Sequence, residues 1–401
     1  MKRLQAFKFQ IEPNGGQIRA MRQYAGNTRK VWNLALCRQQ KTHMAGEKFT
    51  NSFGMNSWLL AWKQEFPFLC DSPAQTLQQV TQDLATAYKN FFEKRSAFPK
   101  LKKKGKSADS FRFPQGFKLD QINSRIFLPK LGWLRYRNSR DVLGEVRNVT
   151  VSQSGGKWFA SIQTQREVAQ PVPTATAAVG IDVGIARFAT LSDASFIAPL
   201  NSFKKHQDRL RRYQRAMSRK VKFSNNWKKA KARVQKLHTN IANARKDFLH
   251  KASTTISQNH ALVCVEDLQV RTMSSSAKGD AENPGRNVCA KSGLNKAILD
   301  QGWGEFRRQL GYKLAWNGGT LLAVPAQNTS RTCPCCGHVS KENRQTQAQF
   351  YCVACGYKNH ADVVGAINIL ERGHRLFACG EPVQSGRSMK QEPAEAIAHA
   401  A

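Results

Sequence analysis

The chain has 401 residues, and its 63 Lys and Arg against 27 Asp and Glu give a formal net charge of +36. A hydrophobic content of 41%, with 22 Phe and 8 Trp, is enough for buried cores, so the composition excludes a wholly disordered chain. This net charge far exceeds the magnitude of roughly 2–8 that keeps a small domain soluble. A polyanion such as nucleic acid is therefore the expected partner.

The N-terminal part of the chain combines strand-like and helical patterns. Phe7, Phe9 and Ile11 alternate with polar residues, which predicts a half-buried strand. Apolar residues at spacings of three and four after Ser72 and Pro73 predict a helix with Ser72 as its N-cap. Strand-like alternation returns in NVTVSQ and GKWFASIQTQ. We expect these strands and the first one to close a small β-barrel, with the helices inserted between them.

The second part of the chain begins after a linker-like stretch, VAQPVPTATAA (168–178), where we expect a domain boundary. AVGIDVGIARFATLSD then predicts two tightly joined strands, and NHALVCVEDLQV predicts a buried strand that ends in acids. A helix around 294–316 and a strand in GTLLAVPAQ follow. The polar tail beyond about residue 380 is predicted to be disordered.

Two basic segments are predicted to contact nucleic-acid phosphates. FPKLKKKGKSADS holds five lysines, and a solvated linker is the alternative interpretation. The segment 204–251 is predicted to be helical and has 17 Lys and Arg against two acids, a density that favours a phosphate-binding surface over a merely solvated helix face. The residues expected to contact phosphates are Lys102, Lys103, Lys104, Lys228, Lys229, Lys231 and Arg233.

Four of the ten cysteines have the spacing of a structural zinc site. Cys333 and Cys336 form one CxxC pair, and Cys352 and Cys355 form a second pair after 15 residues. Cys335 is adjacent to Cys336 and cannot face the same ion from such a turn, so we expect it to point away. A glycine directly follows each pair, where the turn needs a residue that tolerates positive φ.

The sequence predicts no export signal and no membrane span. No apolar run of about 7–15 residues follows the basic start MKRLQAFKFQ, and no apolar run of about 18 residues occurs later. We therefore expect a cytoplasmic protein. Its cysteines should be reduced or metal-bound in that compartment.

Three carboxylates stand at the ends of predicted elements. Asp182 lies between glycines in a strand, Glu266 ends the apolar run Leu262–Val265, and Asp362 begins a helix. A turn acid, a strand end and a helix N-cap are the respective alternatives. A common account in so basic a chain is that the three share two Mg²⁺ ions, which activate a water and stabilise the leaving 3′ oxygen of a phosphodiester. The trio therefore predicts a nuclease.

These residues lie in motifs that resemble those of TnpB proteins, the OrfB-type RNA-guided nucleases of insertion sequences. The motifs are, in order, GIDVGIARFATLSD, VCVEDLQV, TSRTCPCCGHV, YCVACGY and HADVVGAINIL. The resemblance implies an α+β multidomain fold: a wedge β-barrel with an inserted helical recognition domain, then an RNase H-like (RuvC) α/β domain interrupted by a zinc ribbon. The implied ranges are 1–20 and 108–170 for the barrel, 21–107 for the helical domain, 176–328 and 359–376 for the nuclease, 329–358 for the ribbon and 380–401 for the disordered tail.

The resemblance also implies a function, and it implies that the protein works at the nucleoid in the cytoplasm of a prokaryote. It implies a Mg²⁺-dependent endonuclease that binds a guide RNA from its own insertion element and cuts double-stranded DNA next to a short adjacent motif, with structural Zn²⁺ in the ribbon and no evident protein partner. It assigns the catalytic, Mg²⁺-binding acids to Asp182, Glu266 and Asp362, and it gives Arg331 a contact with the scissile phosphate. The residues implied to meet the adjacent motif are Gln75, Gln79 and the segment Ser110–Arg112, including Arg112.

Two other functions compete with this one. A transposase with the same metals usually orders its acids Asp, Asp, Glu along the chain, whereas the order here is Asp, Glu, Asp. A nuclease-inactive, RNA-guided DNA-binding repressor would be expected to have lost acids, and all three are present. Val364 and Gly365 replace the Asn and Ala that the family often shows, but neither position supplies a ligand.

Overall fold

The computed structural model describes residues 1–280 and 282–378, and the chain divides into two compact units. The first unit consists of Met1–Ala169 and Lys220–Thr239, and the second of Gln170–Arg219 and the chain from Asn240 onward. Lys220–Thr239 therefore groups with the first unit rather than with the predicted run 176–328. The tail predicted at 380–401 lies outside the described residues. In the described ranges, no helix combines the length and apolar character that crossing a membrane requires.

The first unit combines helices with one antiparallel sheet. In chain order its elements are β1 (Lys2–Glu12), α1 (Gly15–Met44), α2 (Ser52–Glu65), a 3₁₀ turn (Pro67–Asp71), α3 (Ala74–Phe92), β2 (Ser110–Phe113), β3 (Lys118–Asp120), β4 (Arg125–Leu128), β5 (Gly132–Tyr136), β6 (Glu145–Ser154) and β7 (Lys157–Glu167). The alternation in β1 is confirmed, since Phe7, Phe9 and Ile11 are all buried.

The sheet of the first unit is curled but is not the closed barrel that the sequence predicted. Its strand order is β2-β6-β7-β1-β5-β4-β3, and within the described residues the edge strands β2 and β3 do not pair with each other. Both are short, at four and three residues. Phe111 from one end of the sheet and Ile126 from near the other lie in the same apolar cluster, so the sheet must bend around a single core.

The helix predicted after Ser72 is confirmed, but the predicted N-cap is wrong. Leu77, Val80 and Leu84 of α3 are buried at the expected spacing. No side chain caps the first turn of α3. Ser72 is buried and its hydroxyl accepts a hydrogen bond from Asn27 Nδ2 at 2.8 Å, so the tertiary contact has taken the group that would have capped the helix.

The second unit is built on a mixed sheet with helices on both faces. Its elements are β8 (Ala178–Val183), β9 (Ala189–Leu191), β10 (Phe196–Ile197), α4 (Ser202–Ser218), α5 (Asn225–Asn259, which begins within the range of the first unit), β11 (Leu262–Glu266), α6 (Val270–Met273), α7 (Val288–Gln301), α8 (Trp303–Trp316), β12 (Thr320–Val324), β13 (Gln349–Tyr351), β14 (Lys358–His360) and α9 (Ala361–Ala378).

Two predicted helices of this part of the chain are each interrupted. The basic segment 204–251 forms α4 and α5, with a break over residues 219–224. The helix expected around 294–316 is divided into α7 and α8 at Gly302, whose φ of 75° is left-handed. A glycine adopts this conformation without steric cost, so the chain can turn there between two helices.

The strand order of the second sheet is β10-β9-β8-β11-β12, with β8, β11 and β12 parallel and β9 and β10 antiparallel to their neighbours. One face of this sheet packs Val179 and Ile181 against α5 and α8. The other face carries α9, which lies close to β8: a Cβ on Gly180 would stand 2.1 Å from the backbone oxygen of Ala366. The absence of a side chain at Gly180 therefore permits this packing.

Candidate active site and metal centre

Asp182 and Glu266 lie near the C-terminal ends of two neighbouring parallel strands, β8 and β11, and on the same face of the second sheet. The parallel register pairs Val265 of β11 with Ile181 of β8, so Glu266 and Asp182 follow side by side. Side chains alternate along a strand, so both acids point to the face that carries α9, away from the core that contains Ile181 and Val265. The strand alternation predicted around Asp182 is confirmed.

The third acid, Asp362, approaches from the first turn of α9. Its backbone N–H donates to Nδ1 of His360 at 3.2 Å, and its Oδ1 lies 4.0 Å from a guanidinium nitrogen of Arg344. All three acids line one open cleft of about 280 Å³. The residues around this cleft are Asp182, Val183, Gly184, Arg187, Thr190, Glu266, Ala326, Thr329, Ser330, Arg344, Gln347 and Asp362.

The environment of Asp182 opposes its ionisation. Burial, and then the negative charges of Glu266 and Asp362, raise the pKa of Asp182 from 3.8 to about 8, against a smaller opposite effect of Arg344. The carboxylate also packs against the backbone of α9, because a Cβ on Gly365 would lie 3.0 Å from Asp182 Oδ2. A proton or a cation in the cleft would reduce the repulsion between these carboxylates.

Burial also raises the pKa of Glu266, while a hydrogen bond from Thr329 and the charge of Arg372 act in the opposite direction. The Thr329 hydroxyl donates to Glu266 Oε1 at 2.5 Å. Carboxylate oxygens are the ligands that Mg²⁺ prefers, so the cleft has the donor chemistry and the excess negative charge that this cation requires.

The three carboxylates are spread around the cleft rather than gathered at one point. Within residues 1–280 and 282–378, the four ribbon cysteines alone form a group of three or more His, Cys, Asp or Glu side chains placed to hold one ion. Asp182, Glu266 and Asp362 therefore share the cleft without forming such a single-ion group among the described residues.

The raised pKa of Asp182 leads to a test on protein without added Mg²⁺. An unfolded chain loses the Asp182 proton near pH 4, whereas the folded chain keeps it until about pH 8. The folded state binds the extra proton in this window, so the free energy of unfolding should fall as the pH rises, by up to about 1.4 kcal/mol per pH unit. Urea unfolding from pH 4 to 8 measures this slope. It should be shallower in Asp182→Asn, and equal slopes in the two proteins would contradict the assignment.

The arginines that line the cleft differ from the one implied by the resemblance. Arg331 is exposed and is not among the lining residues, whereas Arg344 and Arg187 are. The backbone oxygen of Arg331 instead accepts a hydrogen bond from Asn343. No local pattern marks Arg344 in the sequence: it reaches Asp362 because the chain folds back and pairs residue 344 with Phe350.

The four predicted zinc ligands come together. All four sulfur atoms lie within 4.8 Å of one another, with 3.6 Å between Cys333 and Cys355 and 3.6 Å between Cys336 and Cys352. A tetrahedral ion with Zn–S bonds of about 2.3 Å has edges of about 3.8 Å, so these distances fit zinc. Cys335 is exposed and outside the group, as expected.

The two turns of this centre have the same backbone geometry. Gly337 N donates to Cys333 O at 3.0 Å, and Gly356 N donates to Cys352 O at 2.9 Å. Both glycines have a φ of 75°, which confirms the predicted need for positive φ after each pair. The two cysteine pairs are therefore presented by turns of matched geometry.

The residues implied to read the adjacent DNA motif lie together in the first unit. Gln79 Nε2 donates to Asp83 Oδ1 at 3.1 Å, and Arg112 lies 3.6 Å from the same oxygen. Gln75 stands one turn earlier on α3 and is half-buried. Asp83 thus holds two of the three side chains, and a nucleic acid that engaged Arg112 would have to compete with this carboxylate.

The residues predicted to contact phosphates differ in their exposure and in whether they pack on an aromatic ring. Lys102 packs over the Trp32 ring, with Nζ 3.7 Å from the ring centre, and burial lowers its pKa. Lys231 lies over Trp227 at 5.1 Å. The exposed members of the predicted set are Lys103, Lys104, Lys228, Lys229 and Arg233.

Comparison with known proteins gives the family. Three family models match parts of the chain. "Probable transposase" (OrfB_IS605) matches residues 161–277, "Cas12f1-like, TNB domain" matches residues 303–369, and "Helix-turn-helix domain" matches residues 1–48. The chain is 59% identical over 399 residues, 99% of each chain, to "Putative RNA-guided DNA endonuclease InsQ" of Escherichia coli (strain K12). It is 33% identical over 408 residues, 98% of this chain and 97% of the other, to a "Putative RNA-guided DNA endonuclease" of Streptomyces pristinaespiralis. The chain belongs to the OrfB_IS605, or TnpB, family.

One family match differs from the observed fold. Residues 1–48 match a model described as helix-turn-helix, yet they contain strand β1 and the single long helix α1. Among solved structures, "Structure of the mini-RNA-guided endonuclease CRISPR-Cas_phi3" aligns over 96% of this chain and 94% of that chain, at 12% identity and a TM-score of 0.44.

Proposed function

We propose that the protein is an RNA-guided DNA endonuclease of an insertion element, with an RNase H-like (RuvC) nuclease domain in its second unit. The observation that carries this proposal is the convergence of Asp182, Glu266 and Asp362 from distant parts of a +36 chain into one cleft. The mixed strand order of the second sheet and the names of the relatives at 59% and 33% identity support it.

The three carboxylates would hold two Mg²⁺ ions, which when bound supply activation of a water and stabilisation of the leaving 3′ oxygen of a phosphodiester. Arg344 and Arg187 place positive charge on the same cleft, where a guanidinium group can bind the scissile phosphate. Thr329 holds one oxygen of Glu266 and leaves the other for a cation. The cysteine centre would hold a structural Zn²⁺ and perform no chemistry itself.

Sequence specificity would come from base pairing between the guide RNA and one DNA strand, while the protein binds backbone and shape. The exposed lysines of residues 103–104 and 228–229 would neutralise phosphates, so affinity should fall steeply with added salt. Gln75, Gln79 and Arg112 would read the short adjacent motif. One nuclease cleft would then cut the two DNA strands in turn.

The direct test is to express the protein together with its native flanking DNA, purify it and sequence the RNA that remains bound. We expect one dominant RNA that maps to the end of its own insertion element. The purified complex should linearise a plasmid that carries a guide-matched target beside a randomised adjacent sequence, and only in Mg²⁺ or Mn²⁺. Bound RNA without any cutting would favour the repressor, and strand joining would favour the transposase.

A further inference from the structure

The segment 325–332 joins β12 to the first zinc cysteine and is held by side chains of α9. Asn368 is 2% exposed, and its Nδ2 donates to two backbone oxygens, those of Thr329 and Thr332, each at 2.7 Å. A buried amide that satisfies two carbonyls fixes the backbone between them, because leaving those carbonyls unpaired would be costly.

One turn further along α9, Arg372 holds the start of the same segment. One of its guanidinium nitrogens donates to the backbone oxygens of Pro325 at 2.9 Å and Gln327 at 2.7 Å. Residues four apart lie on the same side of a helix, so Asn368 and Arg372 form one stripe that grips four carbonyls. Gly365, against which Asp182 packs, lies three residues before Asn368 on that stripe.

This clamped segment contacts the Glu266 carboxylate through the Thr329 hydroxyl. Thr329 is 4% exposed, and its Oγ1 lies 2.5 Å from Glu266 Oε1, closer than the 3.2 Å to the alternative acceptor Ala326 O. The side chain of a glutamate has three rotatable bonds. A buried hydroxyl on a fixed backbone restricts the orientation of the carboxylate.

We propose that Thr329 and Asn368 are positioning residues for the divalent cations: Asn368 fixes the segment 325–332 on α9, and Thr329 then orients the Glu266 carboxylate toward the cleft. The inference rests on the proposed function only in taking Glu266 as a cation ligand. Under this proposal α9 positions both acids, because Asp182 packs against Gly365 and Glu266 is held through Thr329 and Asn368. The segment that enters the cysteine centre then also supports the proposed nuclease site. Partners of metal ligands of this kind typically change metal affinity or activity about 10–100-fold when they are removed.

The test compares three substitutions in the full-length, zinc-loaded protein. Thr329→Val keeps the shape and removes the hydroxyl, Thr329→Ser keeps the hydroxyl, and Thr332→Val is the matched control. The Thr332 hydroxyl donates to the nearby Asn328 O at 2.8 Å, and within residues 1–280 and 282–378 it bonds no carboxylate, so Thr332→Val changes the same segment without removing a contact of Glu266. Mn²⁺ binding without nucleic acid is measured by the paramagnetic resonance of free Mn²⁺, and cleavage is measured across a range of Mg²⁺ concentrations.

Thr329→Val should weaken Mn²⁺ binding and shift the Mg²⁺ dependence of cleavage by about 10-fold or more. Thr329→Ser and Thr332→Val should resemble the parent in both measurements. Equal metal dependence of Thr329→Val and the parent would overturn the inference, as would an equal loss in Thr332→Val. If the parent binds Mn²⁺ but cleaves no DNA, the proposed function fails while the Mn²⁺ comparison still decides the role of Thr329. If Mn²⁺ binding needs nucleic acid, the Mg²⁺ dependence decides it.

Discussion

Asp182→Asn is expected to lower the rate of target cleavage by about 10³-fold or more, because the cation that this carboxylate helps to hold stabilises the transition state by several kcal/mol and each 1.36 kcal/mol is worth about tenfold. Asn keeps the size of the side chain and relieves the repulsion from Glu266 and Asp362 that raises the pKa of Asp182. The folded protein should therefore be no less stable. Binding of guide RNA and of target DNA should persist.

The measurement is single-turnover cleavage of a guide-matched DNA, with binding followed in parallel by gel shift. Asp208→Asn is the matched control: Asp208 is an exposed acid of α4 in the same unit, paired with Arg211 on the surface. That variant should cleave at the parental rate. Unimpaired cutting by Asp182→Asn would refute the assignment of the site, and a loss of cutting together with RNA binding would indicate a folding defect.

The second large effect is expected from Cys352→Ser, which removes a buried cysteine of the proposed zinc centre. Structural zinc contributes about 10 kcal/mol or more to the folding of small zinc domains, so the variant should lose its bound zinc and the order of its ribbon. Asp362 lies two residues after the end of β14, and Thr329 lies four residues before Cys333. Cleavage should therefore fall by at least about 100-fold, since misplacement of a catalytic group by about 1 Å can cost that much.

The control for this experiment is Cys335→Ser, which changes an exposed cysteine in the same turn that is outside the metal group. It should retain one zinc per chain and full cleavage. Zinc content is measured by mass spectrometry of the purified proteins and cleavage as before. Loss of zinc from Cys335→Ser, or normal zinc content in Cys352→Ser, would show that the ligand set has been assigned incorrectly.

The parts of the fold that the sequence predicted well are those set by local pattern. Alternation gave the strand around Asp182 and the face on which its carboxylate lies, because a strand has a period of two whatever surrounds it. The CxxC spacing gave the cysteine centre and the idle position of Cys335, because the turn geometry is local. The periodicity of α3 gave its buried residues for the same reason.

The parts that escaped prediction depend on contacts between distant segments. Ser72 has the composition of an N-cap, but Asn27 engages its hydroxyl. Closure of the first sheet depends on two short edge strands meeting, which alternation within each strand does not determine. Arg344 lies outside the quoted motifs, and Asn368 lies in HADVVGAINIL without a predicted role; the partners of both lie 18 or more residues away.

Helix α9 packs on β8 where Gly180 lies against the backbone of Ala366. Because α9 comes late in the chain, this packing also forms late during protein synthesis. At about 5–20 residues per second, a ribosome needs roughly 10–40 s to travel from the codon of Asp182 to that of Asp362. During that interval one face of the sheet lacks its covering helix and the cleft lacks its third acid. The cleft therefore becomes complete only after α9 has been synthesised and has packed on the sheet.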